Sequence, residues 1–252
     1  MSEGELNYAK YKYSKGPDVL RTLAEHASEL KVPQETVEKW KKFFPSISIV
    51  DYRIDNAPHP KERAQLARDI SDFLQGRQVD FAADGEMEKA LLDLRGLYEG
   101  LSQEKQEYFL RTLKMILDVT ESVKQEKDVA QFTKLRMLEG QLISKIVLTF
   151  LPDEYVQSPE YRKLMQTCVH IGRAVNVLDS FVDSPEDYER GQTRIEPTPL
   201  HRAALLGAAL SEGAKGLSGL RMSRELMRQG LYAGNRVLRD KKGFRGSMGK
   251  TE

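Results

Sequence analysis

The chain has 252 residues, 40% of them hydrophobic, 8% aromatic and 31% charged, a composition that excludes a disordered or low-complexity protein. At about 150 residues per domain, one large domain is the default, and no run approaches the roughly 20 apolar residues of a membrane span. The formal charge is only +1, and Cys168 is the single cysteine, which excludes an internal disulfide framework and a zinc site built on several thiolates.

Along the chain, residues 1–17 read as an N-terminal extension without the apolar core of a secretion signal, so a cytoplasmic protein is expected. Apolar residues recurring every three or four positions predict helices near 18–31, 34–44, 46–56, 60–75 and 84–99. Pro33, Pro45, Pro58, Pro60, Gly76, Gly85 and Gly100 supply the breaks. Next, Ser102 with Glu104 and Glu107 marks a helix start. Phe109, Leu113, Ile116, Leu117, Thr120 and Val123 then form one stripe of that helix. Helices follow near 128–150, 158–183 and 198–239, interrupted at Pro152, Pro197 and Pro199. No alternating pattern argues for strands. The reading is all-α: one helical domain over 18–239, then a basic flexible tail over 240–252.

Charge is unevenly spread. From Arg221 to Lys250, nine basic residues stand against Glu225 and Asp240, a net +7. Such a segment is either a solvated terminus or an attractor for anions, including the surface of a membrane, where peripheral contact is expected. The sequence has no zinc-finger spacing and no RNP-type aromatic motif, so no nucleic-acid partner is expected.

Two places put acids on faces that ought to be buried, where an uncompensated charge is costly. In SISIVDYRIDNAPHP, Ile47, Val50 and Ile54 share a helix face with Asp51, and Asp55 lies one turn on. In HIGRAVNVLDSFVDSPED, Ile171, Val175, Leu178 and Val182 form an apolar stripe expected to be core. Gly172, Asn176, Asp179 and Asp183 form a second stripe beside it. Taken singly, each aspartate pair suits a solvated face or an ion pair with Arg53 or Arg173. Taken together, two i, i+4 aspartate pairs facing an apolar space would need cations. Carboxylate oxygens without histidine or thiolate suit Mg²⁺, which commonly shares its shell with substrate phosphates.

Residues 171–183, IGRAVNVLDSFVD, resemble the second aspartate-rich segment of class I isoprenoid synthases, whose prenyltransferase members read G-x-A-F-Q-x-x-D-D-x-x-D. Gly172, Ala174, Asp179 and Asp183 match, Asn176 stands for the glutamine, and Ser180 replaces the middle aspartate. Read as D-x-x-x-D, the same residues are similar to the squalene and phytoene synthase branch. DSFVDSPEDYERG is similar to a bacterial terpene synthase pattern of the D-Y-F-I-D-Q-x-E-D type. Upstream, DYRID resembles the first motif of the squalene and phytoene branch, and residues 137–151 resemble the small-residue helix between the motifs.

The resemblance spans roughly residues 45–195 and implies a helical bundle of the class I isoprenoid synthase type around a central apolar cavity. It further implies a Mg²⁺-dependent terpene synthase that ionises one prenyl diphosphate, releases pyrophosphate, and cyclises the chain or eliminates a proton. Asp51, Asp55, Asp179 and Asp183 would be the catalytic metal ligands, Asn176 would orient substrate or metal, and Arg190 and Arg194 would clamp diphosphate oxygens. Two alternatives stand beside it: a squalene/phytoene synthase-like head-to-head prenyltransferase, and a non-catalytic helical partner subunit. The chain lacks an S-x-S-F-type motif near its N-terminus and is short for a head-to-head synthase. Oligomeric state is not readable from the sequence.

Asp187 either continues the acid series or, with Ser184 and Pro185, belongs to the start of a new helix. Trp40, Phe43 and Phe44 are either pocket wall or plain core, as are Met115, Met137 and Met165. His26, His59, His170 and His201 show no ligand spacing and read as surface or capping residues.

Overall fold

The computed structural model describes residues 15–57, 59–79, 81 and 85–218, and among them the chain is all-helical, with no strand. Eight α-helices run α1 Gly16–Ala27, α2 Gln34–Asp55, α3 Pro60–Leu74, α4 Gly85–Glu99, α5 Gln103–Gln125, α6 Val129–Leu148, α7 Pro159–Glu189 and α8 Pro199–Ser218. A single 3₁₀ turn, Asp153–Tyr155, joins α6 to α7. The chain divides at Gly219 into two units. The basic segment, and the expected helix beyond residue 218, lie outside the described residues. No described helix is long and apolar enough to cross a membrane.

Alternate packing of helices builds the first unit: α7 lies between α6 and α8, α5 packs on α6, and α2 packs on α1 and α4. The stripe expected on α5 is the one buried, with Phe109, Leu113, Thr120 and Val123 inside and Ile116 and Leu117 half-buried. Ser102 is its N-cap by position, although its hydroxyl makes no capping hydrogen bond. Val119, Val123, Phe132, Leu142, Val177, Ile195, Leu205 and Ala209 form a core joining α5 to α8. A second core is aromatic, where Phe43 meets Phe109 and Phe150 with ring centroids 6.4 and 5.3 Å away. Trp40, fully buried, donates from Nε1 to the Val147 carbonyl at 2.8 Å. That carbonyl is one of the last four of α6, which lack partners within the helix. Trp40, Phe43 and Phe44 are therefore core.

Two prolines lie inside helices: Pro45, expected as a break, and Pro185, beside which a new helix is one of two readings. Pro45 sits inside α2, making 34–44 and 46–56 one helix. The carbonyl it leaves without a partner belongs to exposed Lys41, where water can reach it, while Trp40, Phe43, Ile49 and Val50 bury the helix on both sides of the proline. Pro185 sits inside α7, and the Ser184 hydroxyl donates to the Phe181 carbonyl at 3.3 Å, replacing the bond that the proline cannot make. The helix expected over 158–183 thus runs on to Glu189, and Asp187 belongs to it.

The larger correction concerns which stripe of α7 faces inward. Val175 and Leu178, expected in the core, are 58% and 44% exposed, and Ile171 and Val182 are only half-buried. The cause is the contact with α6: a Cβ on Gly140 would stand 2.2 Å from the Gly172 carbonyl oxygen, so the two backbones touch at these glycines. Gly172 and Asn176 turn toward α6, Val177 and Ser180 are buried, and the apolar stripe is rotated outward. His201 is a second correction, buried at 2% exposure against the Phe132 ring.

Candidate functional site

The C-terminal half of α2 brings Asp51 and Asp55, both half-buried, and the second half of α7 brings Asn176, Asp179, Asp183 and Asp187. Acting with both sets is a residue that the motifs do not contain, Arg136, one turn after Phe132 in α6. Burial works against its charge, yet Glu139, Asp179, Asp187 and Asp55 together hold the Arg136 guanidinium more firmly protonated than usual. Acids of both motif segments therefore act on one cation. Asp51, Asp179, Asp183 and Asp187 all have interaction partners.

A hydrogen-bonded network fixes this arginine. Its Nη1 donates to Glu139 Oε2 at 2.6 Å and its Nε to Ser180 Oγ at 2.5 Å. Glu139 is 5% exposed and accepts two more bonds, from Thr120 Oγ1 at 2.6 Å and from Asn176 Nδ2 at 2.8 Å. Asn176 also donates to the Arg136 carbonyl at 2.7 Å, tying α7 to α6. Ser180, where the prenyltransferase motif has aspartate, is buried and donates to the Asn176 carbonyl at 3.1 Å. A carboxylate there would stand against Glu139 in a confined space, whereas a hydroxyl both accepts from the arginine and donates onward.

Cations continue the network toward α3 and α5. Lys124 Nζ lies 2.8 Å from Asp55 Oδ1. The pair is close but not aligned for a hydrogen bond, so the nearly buried ammonium is held by charge. Arg63 on α3 donates Nε and Nη2 to Glu121 at 2.7 and 3.0 Å, a forked pair that lowers the glutamate's proton affinity. Asp55 adds to the charge that stabilises Arg63. Asp55 thus acts on three bases, Arg63, Lys124 and Arg136, with Glu121 beyond the first and the α7 acids beyond the last.

The two arginines expected as diphosphate clamps are both exposed. Arg190 is the C-cap of α7, 58% exposed, and pairs with Glu186 at 2.6 Å. Arg194 is exposed in the loop that follows. Among the described residues, no group of three or more His, Cys, Asp or Glu side chains is placed to hold a metal ion. Arg136 and Glu139 had one sequence signal, an i, i+3 ion pair inside the apolar run KLRMLEGQLIS, next to the glycine that lets α7 approach.

A second ionic cluster lies where α7 meets α8. Glu212, 5% exposed, accepts from His170 Nδ1 at 2.8 Å, Lys215 Nζ at 2.5 Å and Arg173 Nη1 at 3.3 Å, and Arg173 also reaches Gln141 on α6. Burial alone would raise the Glu212 pKa, but these donors bring it down to about 2. Cys168 is buried, and desolvation pushes its thiol up to about 12. Comparison with family models, curated proteins and solved structures gives no match.

Proposed function

We propose that the chain is an enzyme of the class I isoprenoid synthase kind, acting on one prenyl diphosphate with Mg²⁺ and releasing pyrophosphate, with cyclisation or elimination of the hydrocarbon. The observation that carries this reading is that Asp55 from α2 and Asp179 from α7 both act electrostatically on Arg136. Two distant aspartate segments share one polar centre, flanked by Lys124 and Arg63.

The donor chemistry supports Mg²⁺: the acids at this centre are hard oxygen donors. The ion usually takes one or two protein carboxylates and completes its octahedron with water and substrate phosphate oxygens. Asp51, Asp55, Asp179 and Asp183 would hold it, and bound there it would neutralise charge on the departing diphosphate. The chain's own part follows from its cations. Arg136 and Lys124, both largely buried, would meet phosphate oxygens as fixed donors and need little reorganisation as charge builds on the leaving group. Glu139 and Ser180 keep the Arg136 fork from turning, and Asn176 holds α7 in register with it.

Incubation with C10, C15 and C20 prenyl diphosphates and Mg²⁺ tests the reading, with pyrophosphate and hydrocarbon both assayed. Pyrophosphate release that stops with EDTA and in Asp179→Asn is expected. A product of two joined chains would move the assignment to head-to-head transfer, and no release from any of the three by folded protein would overturn it.

A second reading, a helical partner without catalysis, draws on the pairing of Asp55 with Lys124 at 2.8 Å. Such acids are already compensated by the chain's own bases. Under it, Asp55→Ala and Asp179→Ala would leave the protein's function intact.

A further inference from the structure

His170 on α7 has chemistry that the aspartate centre does not use. Its Nδ1 lies 2.8 Å from Oε2 of Glu212 on α8, a side chain only 7% exposed. With its pKa brought down to about 2, Glu212 is a carboxylate at neutral pH, so the nitrogen facing it carries the proton of the neutral ring. The ring's free lone pair is then on Nε2. That atom makes no hydrogen bond, is not buried, and belongs to a side chain 30% exposed, so small solutes reach it. Gly216 prepares the contact. A Cβ there would stand 2.9 Å from Ile171 and 3.3 Å from the His170 Cβ, and its absence lets α8 lie close enough for Glu212 to meet the ring.

Two cations share the same carboxylate. Arg173 Nη1 lies 3.3 Å from the oxygen that His170 meets, and Lys215 Nζ lies 2.5 Å from the other. Gln141 Oε1 accepts from Arg173 Nε at 3.1 Å and also from Nη2, which fixes the plane of the guanidinium. These bonds leave Arg173 and Lys215 with further N–H groups to donate. Both side chains are partly solvated, so those groups are open to an incoming anion. Two full charges against one carboxylate also leave a net positive field around the imidazole.

The geometry points to His170 as a phosphoryl acceptor, its Nε2 taking a phosphoryl group from a small activated donor, an acyl phosphate or a phosphoramidate, while Arg173 and Lys215 bind the phosphoryl oxygens. A lone pair among two cations favours a multiply anionic electrophile, because phosphoryl transfer is promoted mainly by positioning and by neutralising charge on the non-bridging oxygens. An acyl electrophile, neutral before attack, gains less from them. The Nε2 pair forms the N–P bond as the P–O bond of the acyl phosphate breaks, and the electrons of that bond leave on the carboxylate. From zwitterionic phosphoramidate the P–N bond breaks and ammonia leaves. No proton has to move: Nδ1 keeps its hydrogen, and the positive charge that the ring acquires is met by Glu212. The step uses none of the motif acids, so it stands or falls separately from prenyl diphosphate chemistry.

Incubation of the full chain with phosphoramidate and, separately, with acetyl phosphate tests the proposal, read by intact mass, peptide mapping and phosphorus NMR. Uptake of a phosphoryl group that is stable to alkali and lost in acid is expected, bonded to Nε2 of His170. The exposed His26 and His59 are controls within the same molecule and should react at least about tenfold more slowly. Glu212→Gln keeps an acceptor for Nδ1 but loses the charge, and Lys215→Gln removes a donor from the surface. Each should slow uptake about tenfold with helical circular dichroism retained. Equal labelling of His26, His59 and His170, a bond to Nδ1, or no uptake from either donor by folded protein overturns the proposal. So does an unchanged rate in either folded variant. If the variants do not fold, the comparison of His170 with His26 and His59 in the wild type decides.

Discussion

Gly140 and Gly172 face each other across α6 and α7 so closely that either Cβ would enter the other's backbone, 2.2 Å from the Gly172 oxygen in one direction and 2.5 Å from the Gly140 oxygen in the other. This contact sets the rotation of α7, and with it the inward aim of Asn176 and the outward aim of Val175. Gly140→Ala should cost about 3 kcal/mol, because backbone cannot yield as a side chain can, and lower Tm by roughly 5–10 °C. Gly96, exposed in α4 with nothing within 4 Å of the place its Cβ would take, provides the contrast. Gly96→Ala should stabilise by up to about 1 kcal/mol through helix propensity alone. Thermal melts of the two variants check both signs.

Removing the charge of Glu139 leaves Arg136 without its hydrogen-bonded carboxylate in a nearly closed space. Glu139→Gln should lower unfolding free energy by about 3 kcal/mol, read as a shift in urea midpoint at unchanged slope. Thr120→Val, which deletes one neutral donor to the same carboxylate, should cost only about 1 kcal/mol.

Glu212 has a folded-state pKa of about 2 against an ordinary 4.5. As pH falls, the unfolded chain takes up this proton first, so the cluster's contribution is complete above about pH 4.5 and is lost on the way down to 2. Lys215 and Arg173 are partly solvated, which limits the loss to roughly 1–2 kcal/mol. Denaturant titrations across that window should show a shallower decline for Glu212→Gln.

His201 titrates in a different window. Burial lowers its pKa from the ordinary 6.5, and its Nε2 has no hydrogen-bond partner. The neutral ring is the one that folds, so stability should fall as pH drops below 6.5. His201→Phe, set against Phe132, should remove that part of the slope while leaving the steeper fall below pH 4.5 in place.

Much of this architecture is legible from periodicity, and the failures have specific causes. The α5 stripe is buried as its spacing predicts, because one helix with one apolar face has one way to pack. On α7 two stripes compete, and hydrophobicity points to Val175 and Leu178. The outcome turns on Gly140, a residue over 30 positions away that admits Gly172 and rejects anything larger. Pro45 reads as a break and Pro185 leaves two readings open because a local rule cannot see the burial around one or the Ser184 bond beside the other. The acids of the candidate site are visible in the sequence, since carboxylates on an inward face stand out. Arg136 shows only its local pair with Glu139, because its role depends on what two other helices bring to it.

Cys168 is deeply buried, and its thiol is held up near 12, so at neutral pH it offers almost no thiolate to solvent. The native chain is accordingly silent to maleimides and similar reagents while it stays folded. A cysteine introduced on any surface helix becomes a unique labelling position without first removing the natural one, and the hidden sulfur, once modified, reports that the fold has opened.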